Sequence, residues 1–306
     1  MNYIKPNFWN KNSAIVYLLW PLSIITKLIN IIKKFKNKYK PKISTICIGN
    51  IYLGGTGKTQ LAIKISQILK NQYKTIVIKK NYKDQIDEQK LLKKYSNLLL
   101  TNFRVDAIKK IEKSKKNIAI LDDGLQDKSI KYKISIVCFS SLNGVGNGRV
   151  LPAGPLRESL LELKNYDAVF INGKKNNNLV KKIKNINNHI KIFNGKYYLK
   201  NKNLFSLNSK YLAFCGIGTP ENFFSLLKEN KINIVKKMVF PDHFKYTNSD
   251  INEIIGIARK NNLKIVTTEK DFMKLKKFKN LSIKYTDVDL KIEKFSLFKK
   301  FLKENI

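Results

Sequence analysis

Apolar and polar positions along the chain fall into stretches of two different periods. Residues 15–32 are mostly apolar, with Pro21 and Lys27 set into them. From Leu22 onward the polar positions are Ser23, Thr26, Lys27, Asn30 and Lys34, a three-to-four spacing that predicts a helix with one wet face and one greasy face. The apolar run 43–48 predicts a strand, and 60–69 has helical spacing. Further strands are expected at 75–78, 98–100, 118–121, 134–139 and 168–171, with helices over 88–95 and 105–113 among them. Strands alternating with helices predict a mostly parallel sheet with helices on both faces.

Beyond this the lysine-asparagine run near 174–188 reads as solvated helix surface. Asn194-Gly195 and the polar residues 200–203 then predict the turns of a β-hairpin. A second, smaller α/β unit follows. It has strands at 211–215, 232–240 and 264–267, a helix opened by Thr219-Pro220, and helices over 250–260 and 292–302. The expected division is an amphipathic membrane-interface helix with a polybasic segment at 1–42, a core domain at 43–189, a β-hairpin linker at 190–208 and a C-terminal α/β domain at 209–306.

Charge changes the reading of the first segment. The chain carries 60 Lys and Arg against 22 Asp and Glu, a net +38. Lysine supplies nearly all of it, alongside much Asn and Ile, a bias that an A- and T-rich genome also produces. Part of the charge therefore belongs to solvated faces, and the rest implies an anionic partner, a membrane surface or nucleic acid. Lys33, Lys34, Lys36, Lys38, Lys40 and Lys42 directly follow the apolar stretch, a cluster that attracts anionic lipid at about 1 kcal/mol per charge near the surface. An interfacial helix on an anionic membrane is the expectation, with a membrane span and a soluble core helix as alternatives. Aromatic residues do not interleave with the basic runs in a stacking pattern, so no nucleic-acid partner is expected. Cys47, Cys138 and Cys215 each sit in an apolar run and are expected to be buried, reduced thiols. Two histidines exclude a histidine-rich metal centre, and no small-residue cleavage site follows the first apolar run.

The chemistry concentrates in Gly49-Asn50-Ile51-Tyr52-Leu53-Gly54-Gly55-Thr56-Gly57-Lys58-Thr59, between a predicted strand and a predicted helix. Gly54, Gly55 and Gly57 let the backbone around Thr56 turn its N–H groups toward a phosphate, and the helix N-terminus adds partial positive charge. Lys58 supplies a mobile cation and Thr59 a hydroxyl for Mg²⁺. This is a nucleotide-triphosphate cradle, off the usual spacing in that Tyr52 stands where a glycine is common. Asp122-Asp123-Gly124 ends the strand at 118–121, where a phosphate-loop enzyme holds its metal. The Gly- and Pro-rich stretch 143–158 contains Arg149 and Arg157. In a chain that uses lysine for bulk charge, arginine is expected where a planar fork must grip a phosphate. The fold class is thus α/β of the P-loop NTPase type, with a smaller C-terminal α/β domain and an N-terminal membrane-associated helix.

Five segments together resemble the tetraacyldisaccharide 4'-kinase (lipid A 4'-kinase) family. They are Gly49-Asn50 to Lys58-Thr59, Leu121-Asp-Asp-Gly-Leu-Gln126, Gly146-Asn-Gly-Arg to Pro-Ala-Gly-Pro-Leu-Arg-Glu158, Phe240-Pro-Asp-His243 and Thr267-Thr-Glu-Lys-Asp271, in the family's order over most of the chain. The resemblance implies ATP- and Mg²⁺-dependent phosphorylation of the 4' hydroxyl of an acylated glucosamine disaccharide 1-phosphate, by a monomer at the cytoplasmic face of the bacterial inner membrane. It implies Asp87, in Ile86-Asp87-Glu88-Gln89, as the base for the hydroxyl and His243 as its partner. An aspartate is a weak base for an alcohol, so an imidazole that orients it or shares the proton is reasonable chemistry. In the expected division Asp87 and His243 belong to opposite domains. With Lys58 as a third catalytic group, the resemblance further implies nucleotide contacts from residues 54–59 and Gln126 and substrate contacts from Asn50, Arg149 and Arg157. Its metal contacts are Thr59, Asp122, Asp123 and Glu158. Lys80, Asn81 and Asp127 stand where the family usually shows arginine, glycine and histidine. The competing expectation is a membrane-associated P-loop ATPase or GTPase switch for a protein or nucleic-acid partner, which would hydrolyse nucleotide without lipid and bind nucleic acid in a strongly salt-dependent way.

Overall fold

The computed structural model describes residues 6–11, 13–35, 37–113, 117–275, 278 and 282–306. The chain divides into two compact units. The larger comprises the described residues of Lys5–Asn81, Leu92–Lys196 and Ile292–Ile306, and the smaller those of Tyr82–Leu91 and Tyr197–Lys291.

Helix α1 (Ala14–Ile32) is followed by β1 (Ser44–Gly49), α2 (Lys58–Leu69), β2 (Lys74–Lys80), α3 (Ile86–Tyr95), β3 (Leu98–Thr101), α4 (Arg104–Ile111) and β4 (Asn117–Asp122). Then come β5 (Ile134–Ser140), β6 (Ala168–Asn172), α5 (Asn177–Ile186) and β7 (Lys191–Leu199). β1 lies between β4 and β5, and every pairing from β7 through β6, β5, β1, β4 and β2 to β3 is parallel. β4, β5 and β6 are buried at every position, and β1 at all but its first, as their unbroken apolar runs require of a parallel sheet covered on both faces. α2 buries Leu61, Ala62, Ile63, Ile65 and Leu69. Cys47 and Cys138 are buried free thiols in this core, as is Cys215 in the smaller unit, and burial pushes all three thiols up.

The smaller unit contains β8 (Lys210–Cys215), α6 (Pro220–Glu229), β9 (Asn233–Val239), α7 (Asn248–Lys260), β10 (Lys264–Thr268), α8 (Glu269–Leu275) and β11 (Ile283–Thr286). Its sheet is parallel in the order β11-β10-β8-β9. Tyr211, Ala213 and Cys215 of β8 pack with Phe223 and Leu227 of α6, and the alternate Leu212 and Phe214 pack with Tyr246, Ile251 and Ile254. α7 starts on a reciprocal cap between Thr247 and Asp250. β12 (Val288–Ile292) takes the edge position beside β7 in the eight-stranded sheet, and α9 (Phe295–Glu304) closes the chain with Phe298 packed against Phe170 and Phe193 in the larger unit.

Three expectations are corrected. The hairpin linker at 190–208 does not form. Asn194-Gly195 lies inside the nine-residue β7, paired parallel with Ile171-Asn172 of β6, and Gly195 O accepts from Gly173 N at 2.8 Å. Residues 82–91 leave the nucleotide-loop unit for the smaller one, and 292–306 belong to the larger. The wet face of α1 also turns inward. Ser23 is 1% exposed, and its hydroxyl donates to Val150 O (2.8 Å) and accepts from Ala153 N (3.2 Å). Asn30 Nδ2 donates to Arg157 O (2.9 Å). Tyr17, Leu18, Trp20, Leu22, Ile25 and Ile32 face outward, Leu18 at 77% exposure. Among the described residues α1 is the one helix long and apolar enough to cross a membrane.

Candidate active site

β1 delivers the chain into its glycine loop, and Asn50 braces the turn. Its side chain is fully buried, with Nδ2 donating to Gly54 O (3.1 Å) and to Tyr52 O, and Oδ1 accepting from Arg157 Nη1 (2.8 Å). Leu53 N donates to Pro155 O (2.8 Å), and Tyr52 bridges Leu156, so the 150–157 loop supports the cradle from one side. Gly57 caps α2 with φ of 90°, a conformation in which a Cβ would be strained, and Lys58 begins the helix. The amides of the first turn of α2 are therefore turned into the loop, the arrangement that favours an anion. The Thr56 hydroxyl is buried there without a partner.

Two carboxylates at the end of β4 have different surroundings. Asp122 is fully buried, and its Oδ2 accepts from Lys79 Nζ (2.9 Å) and Thr59 Oγ1 (3.2 Å). Its Oδ1 is buried with no partner among the described residues, an orphaned acceptor beside a threonine hydroxyl at a phosphate loop, which fits a divalent cation. Asp123 sits at φ 56°, with Oδ1 2.7 Å from Arg157 Nη1 and 3.8 Å from Lys58 Nζ, and Arg104 Nη2 donates to its carbonyl at 2.7 Å. Burial alone would raise its carboxyl, but Lys58, Arg157 and Lys79 bring it down to about 2.

Two expected ligands have other work. Asn50 is a brace with its amide nitrogen and oxygen both engaged inside the protein, not an exposed substrate contact. Glu158 is 1% exposed, with Oε1 accepting from the Tyr166 hydroxyl (2.6 Å) and Gln126 Nε2 (3.3 Å), and Oε2 3.2 Å from Lys128 Nζ. Both oxygens are thus engaged within the fold, and among the described residues no group of three acidic, His or Cys side chains forms a metal centre. Gln126 also donates to Asn50 O (3.0 Å), which ties the β4 loop to the cradle. Arg149 lies instead against α1, its guanidinium 5.8 Å from the Tyr17 ring centre and 5.7 Å from that of Trp20.

The smaller unit holds a second cluster. Asp87, 4% exposed in the first turn of α3, lies with Oδ1 2.9 Å and Oδ2 3.1 Å from His243 Nδ1. A carboxylate only accepts, so Nδ1 carries the proton, while Nε2 lies 3.9 Å from Asp242 Oδ1 and 4.0 Å from Glu88 Oε1. Lys274 Nζ is 3.3 Å and Lys270 Nζ 3.8 Å from Asp87 Oδ2. Lys270 also pairs with Glu88 (3.1 Å), and Lys274 with Asp271 (2.9 Å), whose other oxygen accepts from Gly216 N (2.9 Å) and Thr268 Oγ1 (2.7 Å). Burial would raise the Asp87 carboxyl, but Lys270, the hydrogen bond from His243, and Lys274 hold it well below the usual carboxylate range. His243 itself takes φ of 58°, strained for a side chain with a Cβ. Asp87 and His243 therefore share one unit, which corrects their expected placement in opposite domains.

A phosphate loop beside a buried carboxylate, and an Asp–His pair held by two lysines, now stand on the same chain. The family model described as tetraacyldisaccharide-1-P 4'-kinase (LpxK) matches residues 15–306. The chain belongs to the tetraacyldisaccharide-1-P 4'-kinase family. It is 46% identical to the tetraacyldisaccharide 4'-kinase of Pelagibacter ubique over 100% of this chain and 99% of that one, and 32% identical to the enzyme of the same name from Rickettsia canadensis over 94% and 93%. The crystal structure of LpxK from Aquifex aeolicus in complex with ATP matches with a TM-score of 0.70 and 21% identity, covering 95% of this chain and 99% of that one, which shows the shared fold. The P-loop α/β fold and the kinase identity expected from the sequence both stand.

For a member of the tetraacyldisaccharide-1-P 4'-kinase family, sequence reasoning missed Lys79, Arg104, Lys128, Tyr166, Lys270 and Lys274. Lys79 and Lys270 had a visible signal, a lysine within one or two residues of a strand end. The others act on partners at least eight residues away in sequence, such as Tyr166 on Glu158 and Lys274 on Asp87, although Lys274 also pairs with nearby Asp271.

Proposed function

We propose that the chain transfers the γ-phosphoryl group of ATP to the 4' hydroxyl of an acylated glucosamine disaccharide 1-phosphate at the cytoplasmic face of a bacterial inner membrane. The observation that carries this reading is Asp122, whose orphaned Oδ1 stands beside Thr59 at the mouth of the glycine loop. Loop amides and Lys58 hold the β- and γ-phosphates. Thr59 and Asp122 would hold Mg²⁺, which would supply positive charge to offset that of the phosphates. Arg157, fixed by Asn50 and Asp123, presents a guanidinium to developing negative charge. Asp87 accepts the proton of the acceptor hydroxyl, and His243 Nδ1–H orients its carboxylate. The outward apolar face of α1 supports attachment to the bilayer in which an acylated acceptor resides.

The test is incubation with labelled ATP, Mg²⁺ and the acyl disaccharide 1-phosphate. Label should appear on the lipid, and Lys58→Ala should reduce it at least ~10²-fold, the scale of removing one preorganised charge stabiliser. Nucleotide hydrolysis by the unaltered protein with no label on the lipid would favour the switch reading instead.

A further inference from the structure

One basic pocket in the larger unit takes no part in the phosphoryl-transfer reading. A cavity of about 230 Å³ opens between α1 and the 148–159 loop, lined by Trp20, Ser23, Lys27, Gly148, Arg149 and Ser159. Ser23 fixes its geometry, because its two hydrogen bonds to Val150 and Ala153 clamp the loop onto the helix. Lys27 lies one turn further along the same face, and it lines the same cavity as Arg149. Among the described residues neither Lys27 nor Arg149 has a carboxylate partner, whereas Arg104 pairs with Asp127 and Arg157 with Asp123. Arg149 is held by the faces of Tyr17 and Trp20, which orient a guanidinium without neutralising it. Those rings belong to the outward apolar side of α1, at 59% and 45% exposure.

Two uncompensated cations converging on a cavity select an anion, and a fork-shaped guanidinium beside an ammonium suits phosphate oxygens. Tyr and Trp at the edge of an apolar helix face sit at the headgroup level of a bilayer. We propose that Lys27 and Arg149 form a binding site for the phosphate of a membrane lipid, apart from the nucleotide loop. The site rests on the membrane attachment proposed above. Its occupant is a lipid-borne phosphate, supplied either by an anionic phospholipid of the bilayer or by the 1-phosphate of the acceptor. The first source makes the pocket an anchor, and the second makes it part of acceptor recognition.

Flotation of the full-length protein with phosphatidylcholine vesicles, with and without phosphatidylglycerol, tests it in the absence of nucleotide. Roughly 0.5 M salt shortens screening to a few ångström and mutes the diffuse charge of the lysine run. Arg149→Gln and Lys27→Gln should each weaken binding to phosphatidylglycerol vesicles about fivefold, the factor for about 1 kcal/mol per basic residue, and leave phosphatidylcholine binding unchanged. The charge-matched Lys38→Gln protein should lose much less, and melting curves confirm that all variants fold. If vesicle binding is unchanged but the KM for the acceptor rises in both pocket variants, the site stands and the acceptor is its source. If neither quantity moves, or the control loses as much as the pocket variants, the site is refuted. An unaltered protein that ignores both vesicle types removes the membrane reading and the site with it, an outcome distinct from binding that the variants leave intact.

Discussion

Asp87 is surrounded by Lys270, Lys274 and His243, and this decides what kind of base it can be. A carboxylate held so far down stays ionised across neutral pH but attracts a proton weakly, so its contribution comes from position and from the imidazole beside it. Lys270→Met and Lys274→Met should each let burial dominate and raise the Asp87 carboxyl. The acidic limb of the kcat/KM profile should then move to higher pH, and Asp87→Asn should lower kcat by about 10²–10⁴-fold; pH–rate profiles and steady-state kinetics check both. Asp123 makes a separate prediction about stability. Its folded pKa of about 2 lies below the 3.8 of an ordinary aspartate, so its stabilising contribution is present above about pH 4 and is lost as the pH falls toward 2. Acid unfolding of Asp123→Asn should therefore be flatter over that window, by about 2 kcal/mol in total, as followed by urea titrations at several pH values. Lys58-Thr59 and Asp122-Asp123 were legible because each is a pair of neighbours, the first in a strand–loop–helix pattern and the second closing a buried apolar run. The lysines around Asp87 were not, because more than 180 residues of chain separate Lys270 from it.

Among the elements, β1, β4, β5 and β6 were readable because burial on both faces leaves an unbroken apolar run in the sequence. β7 was not, since Asn194-Gly195 is a local turn signal that loses to non-local pairing with β6. The direction in which α1 faces was also hidden. A three-to-four stripe has the same period whether its polar side meets water or meets backbone groups that need partners. Val150 O and Ala153 N decide the matter by taking Ser23. Ser23→Ala would leave Ala153 N buried without its acceptor, while Val150 O keeps the Gly154 amide, and should cost about 1–3 kcal/mol in thermal or denaturant unfolding. The loss should reach the 150–157 loop first, as faster amide hydrogen exchange there.

At the scale of the whole molecule, α1 packs into the larger unit through buried Val16 and polar side chains directed at backbone, and most of its apolar residues are left outside. Deleting residues 1–32 should therefore release the protein from vesicles, as read by flotation. It should also lower kcat on acceptor presented in detergent micelles, where a bilayer is no longer needed. The reason lies in what the helix holds. Asn30 grips the backbone of Arg157, whose guanidinium touches Asn50 and Asp123. The segment proposed to hold the protein on the bilayer is thus also a strut for Arg157. A version trimmed for easy handling in water would be slack where it must be stiff, so attachment and competence are coupled through three hydrogen bonds on one helix face.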